Sequence, residues 1–402
     1  MTNSCGRSFL SYRRSQHVAA KLVIEAQREF GIPTWQDVDD LESAPLESEL
    51  RSQLRDPNTA NAVWLMTPDV SASPIIRTIE LPCSLERQRV GDGFFIKPVL
   101  AQGLDYAEAA ALLEGITLDD LEMWNLTRVG GEVTPRVAAD IAESVLKHRL
   151  RRISASGAES PFRVGVYTRA APELDHERAL TFDWTHRFND RTADHAAWRH
   201  CAGAAFRAVA AIRRLVPGRA IELSGLASLP GCVLMGSAFL QPLGMDVHWL
   251  QRTGIASTRW SLAGPVDHTG FHVTTRPGSV TANDVAILGS VNRLVESTVA
   301  KSGMNFRAIV EVQLTEGMGA ALTPQQGVAI AHSLMNAARK ARDEFRVSGG
   351  VHLFLAVPAA LAFMIGQLLN TFGYVHTYEY IAESDIYQPA ITLMPSSAYS
   401  RK

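Results

Sequence analysis

Along the first hundred residues, short unbroken apolar runs alternate with stretches in which apolar residues recur every four positions. The runs Ser8–Tyr12 (SFLSY), Ile32–Trp35, Asn61–Thr67 (NAVWLMT) and Phe94–Leu100 (FFIKPVL) predict strands. Between the first two, Ser15 is placed to cap a helix whose apolar positions are Val18, Leu22, Ala26 and Phe30, with Gly31 closing it. Leu46–Leu54 predicts a second helix, and Pro74–Gln88 a third with Pro82 as an interior break. Strands separated by helices of this length predict a parallel sheet covered on both faces.

The pattern then changes. Asp119–Trp124 and Pro135–Arg152 predict polar helices, the second ending in the basic run Lys147 to Arg152, which reads as a solvated helix end beside the negative pole of the helix dipole. Ser154–Pro161 (SASGAESP) has linker composition and marks a domain boundary.

The C-terminal part repeats itself. A helix from Asp194 carries Phe206, Val209, Ile212 and Leu215, and Pro217-Gly218 stops it. The strand Ala220–Leu223 comes next, then an apolar helix opened by Pro230, Gly244 and the strand Met245–Gln251. The same series returns as Thr323, the strand Val351–Val357, a helix opened by Pro358, Gly373 and the strand Tyr374–Tyr380. Pro230 and Pro358 lie 128 residues apart, as do His248 and His376, whereas Asp194 and Thr323 lie 129 apart. Two α/β units of one design imply a pseudo-two-fold. Their loops Ser224–Pro230 and Ala356–Ala359 fall at strand carboxyl ends, where helix N-termini favour phosphates. The alternative is that the duplication serves only to build a core.

Composition narrows the function classes. The 402 residues are 46% apolar and 20% charged, the mixture of a globular chain of two or three domains. A formal net charge of -2 excludes a general duplex-DNA binder, which needs a broad basic face. Four scattered cysteines without a CxxC pair give neither a zinc site nor a disulfide framework, and fit a reducing compartment. The N-terminus lacks the apolar core of a signal peptide, and the most apolar stretch, Leu353–Gly366, is short and interrupted by Pro358, so a cytoplasmic protein is expected. His268 and His272 have metal-like spacing but no supporting ligand set beyond Asp267, so no metal is expected.

Residues 5–115 resemble a TIR domain. SFLSYRR is similar to the family's opening box, and GIPTWQDVDDLESAPLESELRSQL to its second, although Ala44-Pro45 stands where the family often has glycine. NAVWLMTPD with its downstream serine-containing turn and glutamate-bearing helix is similar to the third feature. The resemblance implies a flavodoxin-like fold and cleavage of NAD+ by a glutamate. Two candidates exist, Glu80 and Glu86, and the family's spacing favours Glu80. A carboxylate there would stabilise oxocarbenium character on the ribose while nicotinamide leaves. Tyr12, Arg13, Trp35 and Asp37 are the implied substrate contacts; Trp35 reads equally as a core aromatic, and Arg13 as an exposed charge.

Residues 160–398 resemble the SAVED domain, a fusion of two CARF-like units that senses cyclic oligonucleotides. LTFDWTHRFNDR, VHLFLAVPAALAFMIGQLLN and GYVHTYEY carry this likeness. The implied architecture is α/β throughout: a flavodoxin-like TIR domain with a parallel sheet (1–115), a helical connector (116–160) and two Rossmann-like CARF units (161–402). Arg187, Arg191, Arg199, Ser228, Pro358 and Tyr378 are the candidate contacts to the cyclic nucleotide, each with a plain surface or core role as its alternative. Together the parts resemble TIR-SAVED effectors of CBASS antiviral systems. That implies a cyclic oligonucleotide, such as a cyclic trinucleotide, as activator, NAD+ as substrate, no resident cofactor, and self-association into an oligomer or filament. A non-catalytic signalling scaffold is the alternative, and a membrane or duplex nucleic acid partner is not expected.

Overall fold

The computed structural model describes residues 3–35, 46–114, 126–156, 160–173, 175, 177–189, 192–253, 256–317 and 319–394. The chain divides into two compact units: 1–159 with 173–183 and 211–217, and 160–172 with 184–210 and 218–402.

The first unit is built on a parallel sheet. Its strands are β1 (Arg7–Ser11), β2 (Thr34–Trp35), β3 (Thr59–Met66), β4 (Phe95–Leu100) and β5 (Thr127–Arg128), in the order β2-β1-β3-β4-β5. This is a doubly wound order, with a switch point between β1 and β3. All eight residues of β3 are buried, as expected for a central strand covered on both faces. One face packs Phe9, Trp35, Ala62, Trp64 and Met66 against α2 (Leu46–Arg55), α3 (Leu81–Val90) and α4 (Tyr106–Leu112). On the other lie α1 (His17–Glu29) and α5 (Pro135–Ala155), which pack together.

Several sequence expectations shift here. Ser15 does not cap α1. It lies in a 3-10 turn and donates to Asp69 Oδ2 at 2.6 Å. The buried residues of α1 are Ala20, Val23, Ile24, Ala26, Gln27 and Glu29, and Phe30 follows them into the core, so the C-terminal half of the expected stripe is buried while Val18 at its start is 63% exposed. Pro82 does not break a helix. It occupies the first turn of α3, where its missing N–H is tolerated, and the preceding turn Ile76–Glu80 is wound as a π-helix. The basic run in α5 is not a solvated end. Arg149 is fully buried, donating to Asn61 Oδ1 at 3.2 Å and to the Gly6 carbonyl at 2.7 Å, because α5 lies across the sheet. His148 stacks on Phe95 at 3.9 Å, and burial pushes its pKa down to about 4. The helix expected at 119–124 lies outside the described residues.

The strand β7 (Leu180–Asp183) falls with the first unit. In the second unit, the first half carries β6 (Phe162–Tyr167), α6 (His195–Leu215, of which 195–210 fall in this unit), β8 (Ile221–Leu226), α7 (Leu229–Ala238), β9 (Val247–Thr253) and β10 (Ala256–Trp260). β6, β8 and β9 are parallel and β10 turns back on β9. The second half carries β11 (Phe271–Pro277), β12 (Val285–Ser290), α8 (Glu296–Lys301), β13 (Ala308–Leu314), α9 (Pro324–Glu344), β14 (Val351–Ala356), α10 (Ala359–Gln367), β15 (Val375–Ile381) and β16 (Ile386–Leu393). Its sheet runs β11-β13-β12-β14-β15-β16, with β13, β12, β14 and β15 parallel.

The two halves correspond element by element. β6-β8-β9-β10 matches β12-β14-β15-β16, and α6 and α9 each have 21 residues. Registers agree: Glu222 pairs with His248 across β8 and β9, and His352 with His376 across β14 and β15. α7 and α10 pack on one another at Gly236 and Gly366. The prolines used to align the repeat are not equivalent: Pro230 is inside the first turn of α7, whereas Pro358 is the residue before α10. The true partner of Pro358 is Ser228. Among the described residues no helix is long and apolar enough to cross a membrane.

Candidate functional site

In the first unit the carboxyl ends of β1 and β3 converge at the switch point. Arg13, just beyond β1, lies 3.5 Å from Asp69 Oδ2. Thr67 donates to Asp69 Oδ1 at 2.5 Å, and Ser15 to its other oxygen. Burial pushes the Asp69 pKa up, but the Ser15 and Thr67 hydrogen bonds and the Arg13 charge outweigh it and hold the carboxylate below its ordinary value. The sequence reading missed Asp69, although the Thr67-Pro68-Asp69 turn at the end of an apolar strand was a visible signal.

Glu80 closes the π-helical turn ahead of α3 and is 8% exposed; its carbonyl accepts from Ser84 Oγ at 2.6 Å. Glu86 lies on the outward side of α3, 64% exposed, paired with Arg55 at 3.6 Å. The two candidate glutamates are thus held in opposite environments: one enclosed, one solvated. Tyr12 is half-buried beside Arg13. Of the two readings of Trp35, the structure shows the core one: it is buried and stacks on Phe9 at 5.2 Å. Asp37 lies outside the described residues.

In the second unit, the loops after β6, β8, β12 and β14 carry the polar groups. Ser228 caps α7, its hydroxyl accepting from Gly231 N at 3.3 Å, while its own N–H donates to Thr168 Oγ1 at 2.7 Å. Pro358 takes the equivalent position before α10 without a side-chain cap. Arg187 ends a 3-10 turn, and Arg199 is exposed on α6. The neighbouring Phe188 and Trp198 meet edge to face at 5.1 Å, which brings the segment of Arg187 alongside the turn of Arg199. Arg191 lies outside the described residues. Tyr378, a candidate base contact with a core role as its alternative, is a core residue. It is buried on Phe354 at 4.3 Å and shares a 2.7 Å hydrogen bond with His352 Nδ1, and burial raises its hydroxyl pKa to about 12.

The structure also brings forward residues the sequence reading missed. Arg169, two residues past β6, pairs with Glu379 of β15, and Gln251 of β9 accepts from the Ala360 N–H of α10 at 3.0 Å. Arg293, beyond β12, lies over the Tyr380 ring at 3.4 Å. Gln251 and Glu379 lie 128 residues apart, the offset already seen for His248 and His376. Glu222 is committed to Arg163 at 3.6 Å and Arg259 at 3.2 Å, at the opposite ends of the strands.

Residues 207–393, less than half of the chain, match the family model of SAVED, the SMODS-associated and fused to various effectors sensor domain. No curated protein matches the chain. Among solved structures, the Acinetobacter baumannii Cap4 SAVED/CARF-domain containing receptor with the cyclic trinucleotide 2'3'3'-cAAA is 13% identical with a TM-score of 0.48, covering 88% of this chain and 86% of that one. Its complex with 3'3'3'-cAAA is 12% identical with a TM-score of 0.48, covering 95% and 99%. The Moraxella osloensis Cap4 SAVED/CARF-domain containing receptor is 11% identical with a TM-score of 0.41, covering 95% and 100%.

Proposed function

We propose that this chain is an antiphage effector in which a cyclic oligonucleotide, of the cyclic trinucleotide class, binds the doubled second unit. Binding drives self-association, and the first unit then hydrolyses NAD+. The sensor match over residues 207–393 is the observation that carries this reading. The pseudo-two-fold supports it: paired loops at the carboxyl ends of two like sheets suit a ring-shaped ligand with several phosphates.

The catalytic part rests on the first unit. Its order, β2-β1-β3-β4-β5 and wholly parallel, is the flavodoxin-like order that the TIR resemblance implies. The enclosed Glu80 is the catalytic carboxylate of the proposal. In the reaction the C1′–N bond to nicotinamide breaks and its electron pair leaves with the pyridine ring. The Glu80 carboxylate stabilises the oxocarbenium character left on the ribose and orients its hydroxyls. Water adds at C1′ and releases a proton, giving ADP-ribose; capture by the adenine ring instead gives the cyclic product. A ligand gates such chemistry only by binding the assembling form better than the free form. Head-to-tail assembly through two unlike faces gives an open filament. The proposed setting is the cytoplasm.

Calorimetric titration with cyclic di-, tri- and tetranucleotides, combined with light scattering, tests the reading. Saturable binding of one ring class with a rise in mass is expected. Failure of every ring to bind overturns the sensor role, and binding at unchanged mass overturns assembly.

A further inference from the structure

The two halves of the sensor are braced to each other by equivalent residues that solve one geometric problem differently. Gln251 and Glu379 occupy matching positions on β9 and β15, and each reaches across to the other half. Gln251 accepts from the Ala360 N–H in the first turn of α10. The residue equivalent to Ala360, 130 positions earlier, is Pro230, which has no N–H to offer. The second brace therefore needs another donor. Glu379, 5% exposed, takes Arg169 from the loop after β6. The pair sits by the first turn of α7: burial raises the Cys232 thiol pKa, Glu379 raises it further, and Arg169 opposes. The Arg169 side chain remains 43% exposed at the strand carboxyl ends.

We propose that Arg169, held across the repeat boundary by the buried Glu379, is a positioned anion contact present in one half of the sensor only, so that the ligand is gripped unequally about the pseudo-two-fold. This rests on the cyclic oligonucleotide reading above. The guanidinium has five donors and Glu379 engages one edge, leaving the solvent-facing edge for a phosphate. Glu379 acts as a positioning residue. At the α10 end the matching brace is neutral and the Ala360 amide is already taken, and the arginine of the matching loop, Arg293 beyond β12, lies over the Tyr380 ring rather than on a brace carboxylate.

The test is calorimetric titration of the full chain with the panel of cyclic trinucleotides over a series of salt concentrations, with thermal unfolding in parallel. Arg169→Gln is expected to weaken binding about tenfold, the scale of one charge-assisted hydrogen bond. It should also lower the slope of log affinity against log salt by about 0.7. Glu379→Gln keeps the charge but loosens it, so binding weakens while the salt slope holds. Arg169→Gln alone takes one cation from a buried carboxylate and unfolds at a lower temperature; the double variant regains the midpoint but not the affinity. Arg169→Gln binding like the parent, or a double variant that regains affinity together with stability, overturns the proposal. A parent chain that binds no ring overturns the sensor reading itself, a result distinct from either.

Discussion

Gly236 and Gly366 face each other across the α7–α10 contact so closely that a methyl group on either would strike the other helix. A Cβ at Gly236 would lie 2.0 Å from the Phe363 carbonyl oxygen and 2.9 Å from the Gly366 Cα. A Cβ at Gly366 would lie 2.4 Å from the Val233 carbonyl oxygen and 3.0 Å from the Gly236 Cα. The contacts are reciprocal: 233 answers 363 and 236 answers 366, both at an offset of 130. A point of the pseudo-two-fold therefore lies between the two glycines. Here two halves of one chain make the self-complementary contact of a symmetric dimer.

Gly236→Ala and Gly366→Ala should each destabilise the second unit by about 1–3 kcal/mol, the usual cost of overpacking, because backbone atoms rather than pliable side chains stand in the way. Denaturant unfolding measures this. Parent-like midpoints in both variants would mean that the helices do not approach as described.

Glu80→Gln should lower ligand-stimulated nicotinamide release by about 100-fold or more, the scale of losing one preorganised electrostatic group. Glu86→Gln should leave turnover near the parent's, since its exposed pair with Arg55 contributes little. The reverse pattern would assign catalysis to the solvated glutamate, and parent-like rates in both would leave the first unit a scaffold.

Arg149→Leu should cost the first unit about 2–4 kcal/mol, because the Asn61 side chain and the Gly6 carbonyl lose a buried donor. The exposed Arg151→Ala should change stability by no more than about 0.5 kcal/mol. Urea titrations of the two variants separate these outcomes, and equal midpoints would place Arg149 in solvent.

Acid should destabilise both units before most carboxylates titrate. Burial, with neighbouring cations, lowers the His148 pKa to about 4, and burial beside His376 lowers that of His352 to about 4. An unfolded histidine titrates near its ordinary value of about 6.5, so in this window the unfolded chain binds more protons. The two rings contribute stability that is present above about pH 6.5 and is lost as pH falls toward 4. Unfolding midpoints measured between about pH 7 and pH 4.5 should fall, and His148→Phe should flatten the fall in the first unit. A slope unchanged by that substitution would assign the loss to other groups.

Much of this architecture is legible in the pattern of the chain. Strands β1 to β4 stand within two residues of their expected ends, because a central parallel strand must be apolar on both faces and β3 is, whereas the two-residue edge strand β5 is not among those expected. The repeat is legible because strand, apolar helix and strand return in order. Its register is not. Proline suits both the N-cap and the first helical positions, so aligning Pro230 with Pro358 misplaces the match by two residues, and only packing reveals that Ser228 answers Pro358. The α1 stripe is half right: Ala26 and Phe30 are buried, but four-residue spacing allows more than one face, and at the start of the helix the sheet selects Ala20, Val23 and Ile24 instead of Val18. Trp35 and Tyr378 stay ambiguous in the sequence for a related reason: an aromatic ring gives the same signal in a core as in a binding site, and the neighbours that decide it, Phe9 and Phe354, come from elsewhere in the chain. The braces of Gln251 and Glu379 depend on contacts more than a hundred residues away, which local pattern does not carry.

Gating of catalysis by the ring is decided by nicotinamide release from NAD+ by the purified chain, followed with and without a saturating cyclic oligonucleotide whose binding has been established by calorimetry. A ligand-gated hydrolase gives negligible release without the ring and sustained release with it. NAD+ left intact while the ring is bound would contradict this assignment.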